Sequence, residues 1–128
     1  MRLSRDEMNN LHFFCSLIEL IARRTNNHRA DIMAHFTLED IEEELDLAEV
    51  NHCLPIGKVF EEYIENYGIT KGIYHHDPEI CKAFKYNQIG SFLMTYIVAE
   101  VENEGFDLAE TTKDVLSSRL EELFVGID

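Results

Sequence analysis

"LHFFCSLIELIA", residues 11–22, is the stretch whose reading decides the fold of this chain. Met8, Leu11, Cys15, Ile18 and Ala22 recur at three- and four-residue steps, and Phe14, Leu17 and Ile21 widen the stripe they make. That period belongs to an α-helix, and the stripe covers most of its circumference. Ser4 stands three residues before Glu7, the spacing of a capping box that opens such a helix. The run is too short for a bilayer, which needs ~20 apolar residues, and it contains His12 and Glu19. A soluble helix this apolar belongs either at the centre of a helical fold or in an interface with a second subunit.

Outward from this helix the same period continues. "RRTNNHRADIMAHF" breaks at Asn26 or Asn27, either of which can cap a short second helix carrying Ile32, Met33 and Phe36. Thr37 and Asp40 repeat the capping box ahead of Leu38, Ile41, Leu45 and Ala48, with Glu42, Glu43 and Glu44 on the opposite face. Pro55 suits the first turn of a fourth helix, whose stripe is Ile56, Val59, Phe60, Tyr63, Ile64 and Tyr67. Gly68 supplies its left-handed end.

Residues 69–77 lose the period, and "ITKGIY" within them allows a short extended segment near 69–74. Asp77-Pro78-Glu79 has the order of a helix start: an N-cap acceptor, a proline at the first position and an acid near the positive end of the dipole. The segment from there to Gly105 carries Ile80, Phe84, Ile89, Phe92, Leu93, Tyr96 and Ile97 as its expected buried set, split near Asn87 or Gly90. Thr111 and Asp114 give a third capping-box spacing before Val115, Leu116, Leu120, Leu123 and Phe124. The expectation is a single all-α domain, a compact bundle of six or seven helices. Within it a four-helix part spans 4–68, a connector 69–77 and later helices 78–125. At 128 residues the chain is long enough to bury a core without staples.

Charge narrows the choice of partners. Eleven basic residues against 25 acidic ones give a net −14, which repels phosphate backbones and anionic membranes. Residues 1–36 carry five arginines against four acids; everything after residue 36 carries six bases against 21 acids. The acidic surface therefore belongs to the later helices. It reads as a solvated face or as a surface for a basic protein partner. The cluster Arg23, Arg24, His28 and Arg29 is the one place where a nucleic acid could be touched, and the whole-molecule charge opposes it.

Candidate ligating residues are few. Cys15, Cys53 and Cys81 are odd in number and widely spaced, the pattern of reduced thiols in a cytoplasmic protein. His52, Cys53, His75, His76 and Cys81 are the side chains that zinc would select, yet no C-x-x-C pair sets them. Glu49 and His52 have the Glu-x-x-His spacing of di-iron bundles without a second such pair. His28, Asp31 and His35 fall on one helical face. No G-x-S-x-G, phosphate-loop or dinucleotide fingerprint occurs. No catalytic residue, cofactor, nucleic-acid or membrane role follows.

The succession "LHFFCSLIELIARRTNN", "DLAEVNHCLPIGKVFEEYIENYGI" and "CKAFKYNQIG" resembles a group of small all-helical bacterial proteins of the domain-of-unknown-function kind, over about residues 11–97. Some related small helical proteins are encoded beside toxin-like genes, so the resemblance implies at most a binding or regulatory role and no enzymatic residue. Together these readings give a non-catalytic interaction or regulatory protein of a bacterial cytoplasm, antitoxin-like in using an acidic face. A protein partner is expected, or a homodimer through the first or the last helix. The alternative is a metal-binding domain or metal-dependent enzyme built on His52, Cys53, His75, His76 and Cys81.

Overall fold

The computed structural model describes residues 2–123, and among them the chain is all-helical. The order is α1 (Arg5–Thr25), α2 (Arg29–Met33), α3 (Leu38–Asn51), α4 (Ile56–Tyr67), α5 (Pro78–Ala83), α6 (Tyr86–Glu104), α7 (Leu108–Ser117) and α8 (Leu120–Leu123). The last apolar segment divides into α7 and α8, so eight helices stand among the described residues. Phe124 lies outside them.

α1 takes the central place. Ser4 Oγ accepts the Glu7 amide and Glu7 Oε1 accepts the Ser4 amide, so both orphan donors at its start are satisfied. Its core residues Leu11, Phe14, Cys15, Leu17, Ile18, Ile21 and Ala22 have no exposed surface. They are covered by α6, α3 and α2 of the same chain, which uses up the apolar surface that a dimer through this helix would need. Burial pushes the Cys15 thiol far above its ordinary range, against the lowering effect of the Arg29 charge.

The largest helix pair is α1 with α6, and one residue sets how close they come. Gly90 lies against Ser16: a Cβ built there would stand 2.7 Å from Ser16 Cα and 2.8 Å from its backbone nitrogen. Gly90 therefore sits inside α6 as a contact point and does not divide it. The division falls earlier, at Phe84 and Lys85, where Phe84 takes an extended conformation. Ile89, Leu93, Ile97 and Val101 then recur along α6 as its buried stripe. Leu3 N–H donates to Glu102 Oε2 at 2.9 Å and holds the start of the chain to the same helix.

α4 is held chiefly by rings. Phe36 stacks on Tyr67 with centroids 4.0 Å apart, Phe14 meets Phe36 edge-on at 6.0 Å, and Tyr63 lies 6.0 Å from Phe36. Lys113 Nζ reaches from α7 to the Phe36 carbonyl at 2.6 Å and fixes the turn between α2 and α3.

Several local expectations change. Asn26 does not cap α2; it ends α1 in the left-handed conformation at φ 56°, a geometry that asparagine tolerates better than most residues. His28 is the N-cap of α2, its amide satisfied by Asp31 at 3.0 Å. α7 starts at Asp107, whose carboxylate accepts the Glu110 amide, so Thr111 lies inside the helix and is buried. Glu44 does not join Glu42 and Glu43 on the outer face; it is buried on the side of α3 that carries Ile41, Leu45 and Ala48, at three- and four-residue steps from Ile41 and Ala48.

Residues 69–77 form no strand and no helix. They run along the end of α1, where the amides of Gly72 and Tyr74 donate to the carbonyls of Thr25 and Asn26 at 2.7 and 2.8 Å. Satisfying the last carbonyls of α1 is what this connector does for the fold.

Candidate functional site

The end of α1, the start of α2 and the α7–α8 junction meet around one buried carboxylate. Glu19 and Arg23 are one turn apart on α1, and Glu19 Oε2 accepts Arg23 Nε–H at 2.8 Å. Glu19 Oε1 accepts Arg29 Nη1–H at 2.6 Å, and Arg29 Nη2–H donates to the Ser118 carbonyl at 2.8 Å. Ser118 ends α7, so this guanidinium also sits at the negative end of that helix. Glu19 is 3% exposed and Arg29 9%. Two guanidiniums share one carboxylate in a place largely removed from water, and Asp31, Asp77, Arg119, Glu121 and Glu122 border the same region. Arg23 Nη2 and Arg29 Nε are buried with no hydrogen-bond acceptor.

A cleft of about 580 Å³ opens beside this cluster. One wall is aromatic: the His28 and Tyr74 rings lie 3.5 Å apart, and His76 meets Tyr74 edge-on at 4.8 Å. His76 Nε2 lies 2.8 Å from the Asn27 carbonyl, which can only accept, so that nitrogen carries the proton. The other wall is α5 and the beginning of α6, including Ile80, Cys81, Phe84 and Phe92. Ile80 and Phe84 are not core residues as their spacing suggested; they are 39% and 47% exposed. The reason is that α5 has six residues and buries none of them, being too short to fold its apolar side into the bundle.

The five metal candidates separate. His76 and Cys81 line the cleft, and His75 is exposed beside them. His52 and Cys53 are exposed where α3 ends, with Cys53 Sγ 3.9 Å from the nitrogens of the neighbouring imidazole. Among the described residues no group of three or more His, Cys, Asp or Glu is placed to hold a metal ion. Asp31 is engaged with the His28 amide, and His35 is exposed. Nothing in this geometry favours the metal alternative.

A second polar centre lies under α4. Tyr67 O–H donates to Glu44 Oε2 at 2.6 Å. Burial raises the Glu44 carboxyl above the usual carboxylate range, and the bonds from Tyr67 and Tyr63 oppose the rise. Both phenols are held protonated, by burial first and then by the adjacent carboxylate. This centre joins α3 to α4.

The sequence carries one signal for the cleft: an acid inside an apolar run with a base four residues later, Glu19 and Arg23. Arg29 carried none, since only the turn at Asn26 brings it back to Glu19. No known protein family, curated protein or solved structure matches this chain.

Proposed function

We propose that this chain is a non-catalytic interaction or regulatory protein of a cytoplasm, docking a basic protein partner on the outer face of α3 and α4 in the manner of an antitoxin. One observation carries the reading. Glu39, Glu42, Glu43, Asp46 and Glu49 on α3 are exposed, as are Glu61, Glu62 and Glu65 on α4, and Lys58 is the only base on either helix. The ion pairs among the described residues are those of Glu19 with Arg23 and Arg29, so none of these eight acids has a cation of its own. Exposed like charges at helical spacing repel one another, and a basic surface would relieve that repulsion while speeding encounter.

Leu47 and Val50 add apolar area on the same helix, at 43% and 63% exposure. A rim of charge around exposed apolar side chains is the general composition of a protein interface. The three free thiols suit a reducing compartment. Among the described residues no helix is long and apolar enough to cross a membrane.

The test is capture of partners from native lysate by the wild-type chain and by a Glu42→Lys/Asp46→Lys/Glu49→Lys variant, at low and high salt. Basic proteins retained by the wild type, released by salt and lost from the variant are expected. A retained set that ignores both salt and charge reversal would overturn the reading.

A further inference from the structure

We propose that the cleft bordered by α2, α5 and α8 binds a small organic cation with an apolar body. This goes beyond the docking face, since no residue of α3 or α4 lines the cleft.

The walls call for apolar surface. Tyr74, Ile80 and Phe84 are three of the large apolar side chains left exposed among the described residues, and all three border this one cleft. Apolar side chains scattered singly over a surface carry no meaning, whereas several that converge on one concavity mark a place where something binds. Phe92 and Leu120, each partly buried, continue the same lining. The volume, about 580 Å³, is that of a site for a small molecule.

The charges call for a cation. The inner cluster is closed to a ligand: Glu19 and Arg29 are almost wholly buried, and the Glu19 carboxylate is already engaged by both arginines. What a ligand meets is the rim, where Asp31, Asp77, Glu121 and Glu122 are exposed and Arg119 is the one exposed base. Asp31 and Asp77 accept the amides of His28 and Glu79, at 3.0 and 2.9 Å, and these neutral donors leave each carboxylate its charge. The ion pairs among the described residues are those of Glu19, so none of the four rim acids has a cation of its own. A positive group on the ligand would relieve their mutual repulsion, and the exposed Phe84 ring offers it a negative face. An anion would meet the same rim as repulsion. A cationic head at the rim and an apolar body against Ile80 and Phe84 is the ligand whose chemistry answers both features.

Cys81 lines this cleft, whereas Cys53 is exposed outside it. Iodoacetamide modification, read at each cysteine by peptide mass spectrometry, therefore gives a footprint with an internal control. Octyltrimethylammonium has a fixed positive charge and an apolar chain; octanoate has such a chain with the opposite charge, and tetramethylammonium has the charge without the chain. Octyltrimethylammonium is expected to slow modification of Cys81 and to leave Cys53 unchanged. The other two at equal concentration are expected to leave both thiols unchanged. Glu121→Gln/Glu122→Gln removes two exposed rim charges and should raise the concentration for half-protection about threefold or more. Phe84→Ser takes away an exposed wall and should raise it about tenfold, with the helical circular dichroism of both variants unchanged. No protection of Cys81 at millimolar octyltrimethylammonium would overturn the proposal. So would equal protection by octanoate or by tetramethylammonium, or a folded variant of either kind protected as well as the wild type.

Discussion

Replacing Gly90 by alanine sets two effects of opposite sign against each other in the middle of the α1–α6 pair. Helix propensity alone favours the change, since alanine in a helix interior is better than glycine by about 1 kcal/mol. Packing opposes it. The new methyl would meet Ser16 Oγ and stand within 2.7–2.8 Å of the Ser16 backbone, which cannot rotate away as a side-chain tip could. Overfilling a packed interior costs about 1–3 kcal/mol, and a backbone obstacle places this case near the upper figure. The net expectation is a loss of about 2 kcal/mol. At an unfolding entropy of roughly 2.1 cal/mol/K per residue, that lowers the melting temperature of a 128-residue chain by about 7 °C. Urea denaturation followed by circular dichroism should show a lower midpoint at unchanged m-value. Ser16→Gly in the same chain removes the Oγ contact and leaves the backbone contacts, so it should restore only part of the loss. A Gly90→Ala protein as stable as the wild type, or stabler, would refute the close approach of α1 and α6.

Other perturbations address the polar groups. Glu19→Ala leaves Arg23 and Arg29 buried without their shared carboxylate and should cost about 3–5 kcal/mol in the same denaturation assay. Glu44 has a folded-state carboxyl raised by burial, so its ionisation costs stability once pH passes the unfolded carboxylate range and fully so above the folded value. Glu44→Gln keeps an acceptor for Tyr67 and removes that ionisation. Its stability relative to the wild type should therefore rise as pH increases from about 4 to 7, where the unfolded glutamate titrates first; a difference that is flat or falls with pH would contradict the burial. Among the thiols, Cys53 and Cys81 should react with a disulfide reagent in the native protein and Cys15 only after unfolding, counted by absorbance with and without denaturant.

What was legible in the sequence was what local spacing encodes. The capping boxes at Ser4 and Thr37, the Asp77-Pro78 start and the glycine stops at Gly68 and Gly105 all stand where their residue types put them. Each depends on backbone groups within four residues, so no distant contact could overrule it. The all-helical class followed from the 3.6-residue period, and the central place of α1 from a stripe too wide for a surface helix.

Tertiary structure decided the rest, because it concerns residues far apart in the chain. Ile80 and Phe84 have the spacing of core residues, and only the shortness of α5 and its place at the edge of the bundle leave them exposed. Gly90 is a helix breaker by residue type, and its place inside α6 follows from Ser16 lying against it. The pairing of Arg29 with Glu19 across ten residues needs the left-handed turn at Asn26, and its bond to Ser118 spans 89 positions. Residue type alone marks the histidines and cysteines as ligands, and the fold sends His52 and Cys53 to the end of α3 and His76 and Cys81 to the cleft. Periodicity states which face of a helix is apolar; which other face covers it, and which charge is trapped when it does, is settled only when the helices pack.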